Sequence, residues 1–143
     1  MADAPAPIHV CAAIVRRNLH VLLAQRPAGK HLAGFWEFPG GKVHPDEDLF
    51  GCIRREMAEE LGLQATPIRH LLTVEHAYPE KSIRLHCIEC TIPPDAIPTH
   101  HEGQASKWTA IHELADVTLA PADRTVAQWL QQHHPLQPPC AHA

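Results

Sequence analysis

Residues 41–63 read GKVHPDEDLFGCIRREMAEELGL, a glycine-led polar stretch that runs into a helix-forming segment. From Glu47 to Leu61 there is no proline and a single glycine, and Leu49, Ile53, Met57 and Leu61 recur every four residues, the spacing of one helical face. Gly62 is placed to stop that helix, because glycine accepts the left-handed conformation in which helices commonly end. At about 100° per residue, Glu56, Glu59 and Glu60 fall within about a third of the wheel, and their arc overlaps that of Leu49 and Ile53. Three carboxylates are therefore expected on the inward side. Burying even one unpaired carboxylate is strongly unfavourable. Arg55, four residues before Glu59, can serve one of them, but one guanidinium cannot neutralise three acids, and a divalent cation is the natural partner. A solvated acidic face would explain Glu56–Glu60 taken alone, so the surrounding residues have to decide.

Upstream, Ile8–Val15 and Leu19–Arg26 are β-compatible apolar runs separated by a polar break at Arg16–Asn18, which predicts an antiparallel hairpin in a central sheet. Pro27–Gly34 reads as a loop, and Phe35–Phe38 as a brief aromatic strand stopped by Pro39-Gly40-Gly41. A Gly-rich turn thus lies just ahead of the acidic helix. Downstream, Thr66–Tyr78 and Ser82–Ile92 are strand candidates, Trp108 sits in a short one, and Pro121–His133 opens with proline as a second helix. The order β-β-β-α-β-β-β-α predicts an α/β fold, helices packed on a mixed sheet. No internal repeat is apparent.

The 143 residues, 45% hydrophobic and 20% charged, suit one globular domain, expected over 1–134, followed by a flexible Pro-rich tail over 135–143. A formal net charge of -4 argues against a partner in duplex nucleic acid and leaves a small phosphorylated ligand open. Apolar runs such as Ile8–Val15 fall far short of the roughly 20 residues of a membrane span. The opening MADAPAPIHV has no basic and apolar signal pattern, so no membrane partner is expected and the location expected is cytoplasmic. Five irregularly spaced cysteines (Cys11, Cys52, Cys87, Cys90, Cys140) suit a reducing compartment and free buried thiols. Cys87 and Cys90 form a C-x-x-C, but on a strand its thiols point to opposite faces, which argues against a zinc or redox pair. The 13 histidines are scattered without ligand spacing and read as surface groups, while the 14 prolines gather at both ends and in the Ile92–Pro98 loop.

With its preceding loop, the acidic segment is Gly41-x5-Glu47-x7-Arg55-Glu56-Met57-Ala58-Glu59-Glu60-Leu61-Gly62-Leu63. It matches at every specified position the box G-x5-E-x7-R-E-U-x-E-E-x-G-U, with U aliphatic, and so resembles the Nudix hydrolases. A chance match in a chain this short is far below roughly one in a million. The resemblance implies a Nudix-type α/β/α sandwich with a loop-helix-loop catalytic motif, cleavage of nucleoside diphosphates linked to another moiety, and Mg²⁺ or Mn²⁺ as cofactor. It also implies that Glu56, Glu59 and Glu60 are metal ligands joined by the carbonyl of Gly40, with Glu56 a candidate base. Arg55 would orient the acids and Glu47 would brace the loop.

The likeness extends outside the box. Ala24-Gln25-Arg26-Pro27 and Gly34–Val43 resemble the entry of MutT-type enzymes, which remove pyrophosphate from (deoxy)nucleoside triphosphates such as 8-oxo-dGTP. Glu102-Gly103-Gln104 resembles the segment carrying a further metal-binding or catalytic Glu, and Leu119–Asp123 the base-recognition segment. By this resemblance Glu102 is catalytic and a metal ligand, and Arg26, Phe38, Lys42 and Asp123 contact the substrate. The subgroup's Asn at the last helix is replaced by Asp123, and in the strand Ile83–Cys90 stacking aromatics give way to His86 and Cys87. A pyrimidine triphosphate such as CTP or dCTP is therefore an alternative substrate, and a catalytically silent nucleotide-binding module an alternative function. Dinucleotide polyphosphates, ADP-ribose and capped RNA ends form a third group of candidates. The protein is expected to be a monomer or homodimer.

Overall fold

The computed structural model describes residues 6–100 and 105–133. Within them the elements are β1 (Ile8–Arg17), β2 (His20–Gln25), β3 (Trp36–Glu37), β4 (Gly40–Lys42), α1 (Leu49–Leu61), β5 (Thr66–Tyr78), β6 (Lys81–Thr91), β7 (Ser106–Ala110), a 3₁₀ helix (Ile111–Asp116) and α2 (Pro121–His133). Both expected helices are present, and β1 and β2 form the expected antiparallel pair. Two elements differ from expectation. Gly40–Lys42, read as turn, is a short strand, and residues 111–116 form a 3₁₀ helix that no periodicity announced.

The central strand is β1. Along one edge it runs parallel to β6, from Ile8 opposite Ile83 to Val15 opposite Cys90, and β6 continues antiparallel into β5. Along the other edge it changes partner, pairing first with β4 at Val10–Ala12 and then with β2 at Arg16 and Arg17. Strands β3 and β7 both pair with β2. Alternate residues of β1 face opposite layers. Ala12 and Ile14 join Leu85, Cys87, Val126 and Leu130 under α2, while Cys11, Ala13 and Val15 join Ile53, Met57, Leu61 and Ile88 under α1. The result is the expected α/β/α sandwich. Among the described residues no helix is long and apolar enough to cross a membrane.

Helix α1 begins two residues later than the sequence reading placed it, because Asp48 caps it: its carboxylate accepts the Gly51 N–H at 2.7 Å. Gly62 ends it as expected, at φ 63°, and its N–H and that of Leu63 close onto the carbonyls of Ala58 and Met57, both at 3.1 Å. The expectation for the cysteines is corrected in part. Cys87 and Cys90 are free, buried and on opposite faces, but Cys11 of β1 and Cys52 of α1 are joined in a disulfide, since the helix lays Cys52 onto the face of β1 that carries Cys11. Because Ile53 is fully buried between helix and sheet, Ile53→Ala is expected to lower unfolding free energy by about 2–5 kcal/mol. Chemical denaturation checks this, and a loss under about 1 kcal/mol would mean that α1 is held by its ionic network rather than by packing.

Candidate functional site

A cleft opens on the α2 side of the sheet. Its apolar walls are Val10, Ile83 and Leu85 from the sheet, with Leu32, Phe38 and Ala120 from the connections. Polar groups converge on it from separate elements: Arg26 after β2, Glu37 on β3, Lys42 on β4, Tyr78 at the end of β5, Lys81 on β6 and Asp123 in α2. The start of α2 is fixed by β3, where Trp36 donates its N–H to Thr118 (2.8 Å) and accepts that of Ala120 (2.9 Å). Asp123 therefore lies inside the first turn, beyond the cap position, and its carboxylate reaches across to accept the Phe38 N–H at 2.9 Å. Phe38 itself is almost wholly buried, a wall of the cleft and part of the core under α2.

The acids of this cleft are strongly perturbed. Burial pushes the Asp123 carboxyl well above its usual range, and the charge of Glu37 pushes it further, against the opposing Phe38 N–H and Arg26. Glu37 is raised too, by burial first, although Arg26 approaches it at 3.5 Å and acts to lower it. Arg26 is additionally tied to the His31 carbonyl by its Nε at 2.9 Å. The Tyr78 hydroxyl is raised by its own burial and by the charges of Asp123 and Glu37. Glu37, Tyr78, His31 and Lys81 were not singled out from sequence. Glu37 carried a usable signal, since alternation along Trp36–Glu37 sends neighbours to opposite faces, whereas Tyr78 reaches the cleft only through the β5–β6 pairing.

Helix α1 lies on the other side of the sheet, and β4 joins the two regions. Gly40 and Gly41 line the cleft, and a side chain at Gly41 would fall onto the carboxylate of Glu56. Arg55 organises this corner. It meets Glu47 through Nη2 at 2.6 Å and Nε at 3.0 Å, Glu56 at 2.9 Å, Glu59 at 3.2 Å and the Lys42 carbonyl at 3.0 Å. Glu47 in turn accepts the His44 N–H at 2.9 Å. The Arg55 hydrogen bonds hold the Glu47 carboxyl down at about 2.

The expectation of three inward acids is corrected here. Glu56 and Glu60 are half-buried at the edge of the helix's apolar stripe, and the Glu59 side chain is 55% exposed, because the sheet covers only the stripe centred on Ile53 and Met57. Carboxylate oxygens suit a hard divalent cation, and with glycine at 41 the Glu56 carboxylate can lie against the β4 backbone, where any Cβ would overlap it. The carboxylates are not gathered about one point: among the described residues no three His, Cys, Asp or Glu side chains form an ion-holding group, Glu56 and Glu59 being turned to Arg55. Glu102 lies outside the described residues. His86, read as a replacement for a stacking aromatic, faces away from the cleft. It bonds His9 at 2.9 Å and Thr73 at 3.2 Å, and the cleft side of β6 is Ile83 and Leu85.

The family model for the NUDIX domain matches residues 10–129. The chain is 42% identical over 118 residues to the CTP pyrophosphohydrolase of Escherichia coli (strain K12), covering 81% of this chain and 85% of that protein. It is 41% identical over 106 residues to the 8-oxo-dGTP diphosphatase of Buchnera aphidicola subsp. Acyrthosiphon pisum (strain APS), covering 74% and 85%. The crystal structure of a MutT protein from Methanosarcina mazei Go1 superposes with a TM-score of 0.78 at 25% identity, covering 94% of this chain and 99% of that one.

Two outcomes follow from the geometry. An acid whose folded pKa is raised favours folding fully only below its unfolded pKa, and that contribution is lost as pH climbs through the folded value. Asp123→Asn keeps an acceptor for the Phe38 N–H, so its melting temperature is expected to match wild type near pH 4 and exceed it at pH 8. A pH-independent difference would contradict the shift. Gly41→Ala is expected to displace the flexible Glu56 side chain, leaving the melting temperature within a few degrees while turnover collapses. Unchanged turnover would separate Glu56 from the chemistry.

Proposed function

The chain belongs to the Nudix hydrolase family, and on that premise we propose that it removes pyrophosphate from nucleoside triphosphates, releasing a nucleoside monophosphate, with Mg²⁺ or Mn²⁺ as cofactor. The observation that carries the reading is one cleft reaching from Asp123 to Gly41, where the Glu56 carboxylate lies against the glycine backbone. That is a pocket of base size and chemistry continuous with an acidic helix.

In this reading Glu56, Glu59 and Glu60, with the Gly40 carbonyl and Glu102, would hold the cation. When bound, it supplies charge neutralisation for the phosphates and a more acidic water. Lys42, Lys81 and the free edge of the Arg26 guanidinium face the cleft as charge-assisted donors for phosphate oxygens. Arg55 fixes the Glu56 carboxylate beside Gly41, where it takes the proton of the attacking water. Glu47 secures Arg55 from the preceding loop. Phe38 is the apolar wall against the base.

At the base end, burial raises both Glu37 and Asp123, which favours their protonated forms, and a carboxyl that keeps its proton offers a donor next to an acceptor. Such a pair serves the O6 and N1–H edge of an oxidised guanine, O6 accepting and N1–H donating, and 8-oxo-dGTP is the proposed substrate. A second reading, CTP or dCTP, is favoured by the 42% identity to a CTP pyrophosphohydrolase and by the aliphatic cleft side of β6. Steady-state comparison of 8-oxo-dGTP, dGTP, CTP and dCTP, with pyrophosphate measured directly, separates the two. Glu56→Gln is expected to lower kcat on the best substrate by about a thousandfold or more, roughly 4 kcal/mol of barrier. Release of orthophosphate alone would overturn the proposal in favour of a different cleavage, and no turnover of any triphosphate by a folded protein would overturn it in favour of a silent nucleotide-binding module.

A further inference from the structure

The cysteine pair sits directly behind the corner built by Arg55, Glu56 and Gly41. Cys11 lies opposite Gly41 in the β1–β4 register, and Cys52 is three residues before Arg55 and four before Glu56 on α1. Their Cα atoms are 6.5 Å apart and both residues are 0% exposed. Around Cys52 Sγ are the carbonyl oxygens of Gly41 at 3.6 Å and Lys42 at 3.7 Å, with Arg55 Nη2 at 3.8 Å. A sulfur released from the bond thus already has acceptors for its S–H, and both redox forms of the site are chemically satisfied.

We propose that Cys11 and Cys52 are a reversible redox pair whose closure locks α1, and with it Arg55 and Glu56, onto the sheet at Gly41. Closure takes one proton and one electron from each thiol and forms the S–S bond. Hydrogen peroxide receives them, its O–O bond breaking to give two waters. A small dithiol restores both, opening the protein bond while its own sulfurs join. Bonded sulfurs lie about 2.05 Å apart, whereas unbonded heavy atoms sit at about 3.5–4.0 Å, and both residues are fully buried among packed neighbours. Opening the bond must therefore shift the first turns of α1 relative to β1 and β4. The strand that would feel the shift is the one whose glycine backbone touches Glu56.

The other described thiols are poor competitors. Cys87 and Cys90 lie on opposite faces of β6, and burial pushes the Cys90 thiol up to about 12 and that of Cys87 higher still. Burial of the pair itself means that exchange proceeds through local opening of the helix start, which a peroxide is small enough to exploit. The inference stands on the position of the two residues and does not depend on which triphosphate is cleaved.

The test treats the full chain with hydrogen peroxide or dithiothreitol in metal-free buffer, then alkylates, digests and weighs the peptides. The expected result is a Cys11–Cys52 cross-linked peptide under peroxide that disappears under dithiothreitol. The oxidised form should melt on the order of 5–10 °C higher, with slower amide exchange over Leu49–Leu61. Cys52→Ala and Cys11→Ser should abolish the redox-dependent shift and Cys140→Ser should retain it. The two forms of the wild-type chain make the comparison even if a variant fails to fold. No cross-link at saturating peroxide, or a cross-link with identical melting and exchange, would overturn the proposal. Triphosphate hydrolysis by the dithiothreitol-treated chain is measured in parallel, so that a failure here leaves a distinct signature from a failure of the hydrolase reading.

Discussion

The guanidinium of Arg55 is the contact on which the rest of the candidate site depends. It is planar, always charged and carries five N–H donors in a fixed fork, so it can hold several oxygens in one plane where a lysine could not. Here it spans Glu47 from the loop, Glu56 and Glu59 from its own helix and the Lys42 carbonyl from β4. Loop, helix and strand are thereby referenced to one group. The same hydrogen bonds hold Glu47 ionised down to about 2 and raise the guanidinium's own affinity for its proton. An arrangement of several acids and one base at this distance is charge-unbalanced, which is the physical reason to look for a further cation beside it.

How that acidic corner comes to share a cleft with groups on the opposite face of the sheet is settled by β1. A strand paired along its whole length on both sides would wall the two faces off from each other. Instead β1 gives the first part of one edge to the three residues of β4 and the last part to β2, and between them Ala13 donates to the Pro39 carbonyl at 2.7 Å. The Gly40-Gly41 backbone therefore passes close by β1 without side chains. Substituting either glycine would drive a carbon into neighbouring atoms, the Cys11 backbone in one case and Glu56 in the other.

Much of this was legible in the sequence, and the failures have specific causes. The four-residue spacing of Leu49, Ile53, Met57 and Leu61 gave α1, and the opening proline gave α2, because local pattern and tertiary packing agree there. The box gave Arg55 and its acids. The inward placing of Glu59 failed because a helical wheel reports an arc but not the width of the sheet that covers it. Strand β4 escaped notice because Gly-Gly-Lys has neither alternation nor β propensity, and its pairing is imposed by β1. The Cys11–Cys52 bond spans 41 residues, and only the tertiary fold brings the partners together. His86 was misassigned for a simpler reason: the strand's phase was unknown, and one residue of phase reverses every side chain.

The two ends of the cleft differ in charge logic, and under the proposed function this would let one site both recognise a base and turn over a polyphosphate. Lys42 on β4 and Lys81 on β6 line the cleft while Arg55 stays bound to acids, so an incoming phosphate would meet cations other than Arg55. At α2, two carboxyls share a single guanidinium, that of Arg26, which the His31 carbonyl also holds in place. One acid can be balanced and the other cannot, and burial makes a second negative charge unfavourable. The upward shifts of Glu37 and Asp123, led by burial, express that imbalance. A carboxyl that keeps its proton is a hydrogen-bond donor in a place where ionised acids could only accept. A base edge with adjacent donor and acceptor atoms can therefore be matched at both, and a base lacking one of them leaves a buried group unpaired, which is a stronger source of discrimination than the fit of an apolar wall.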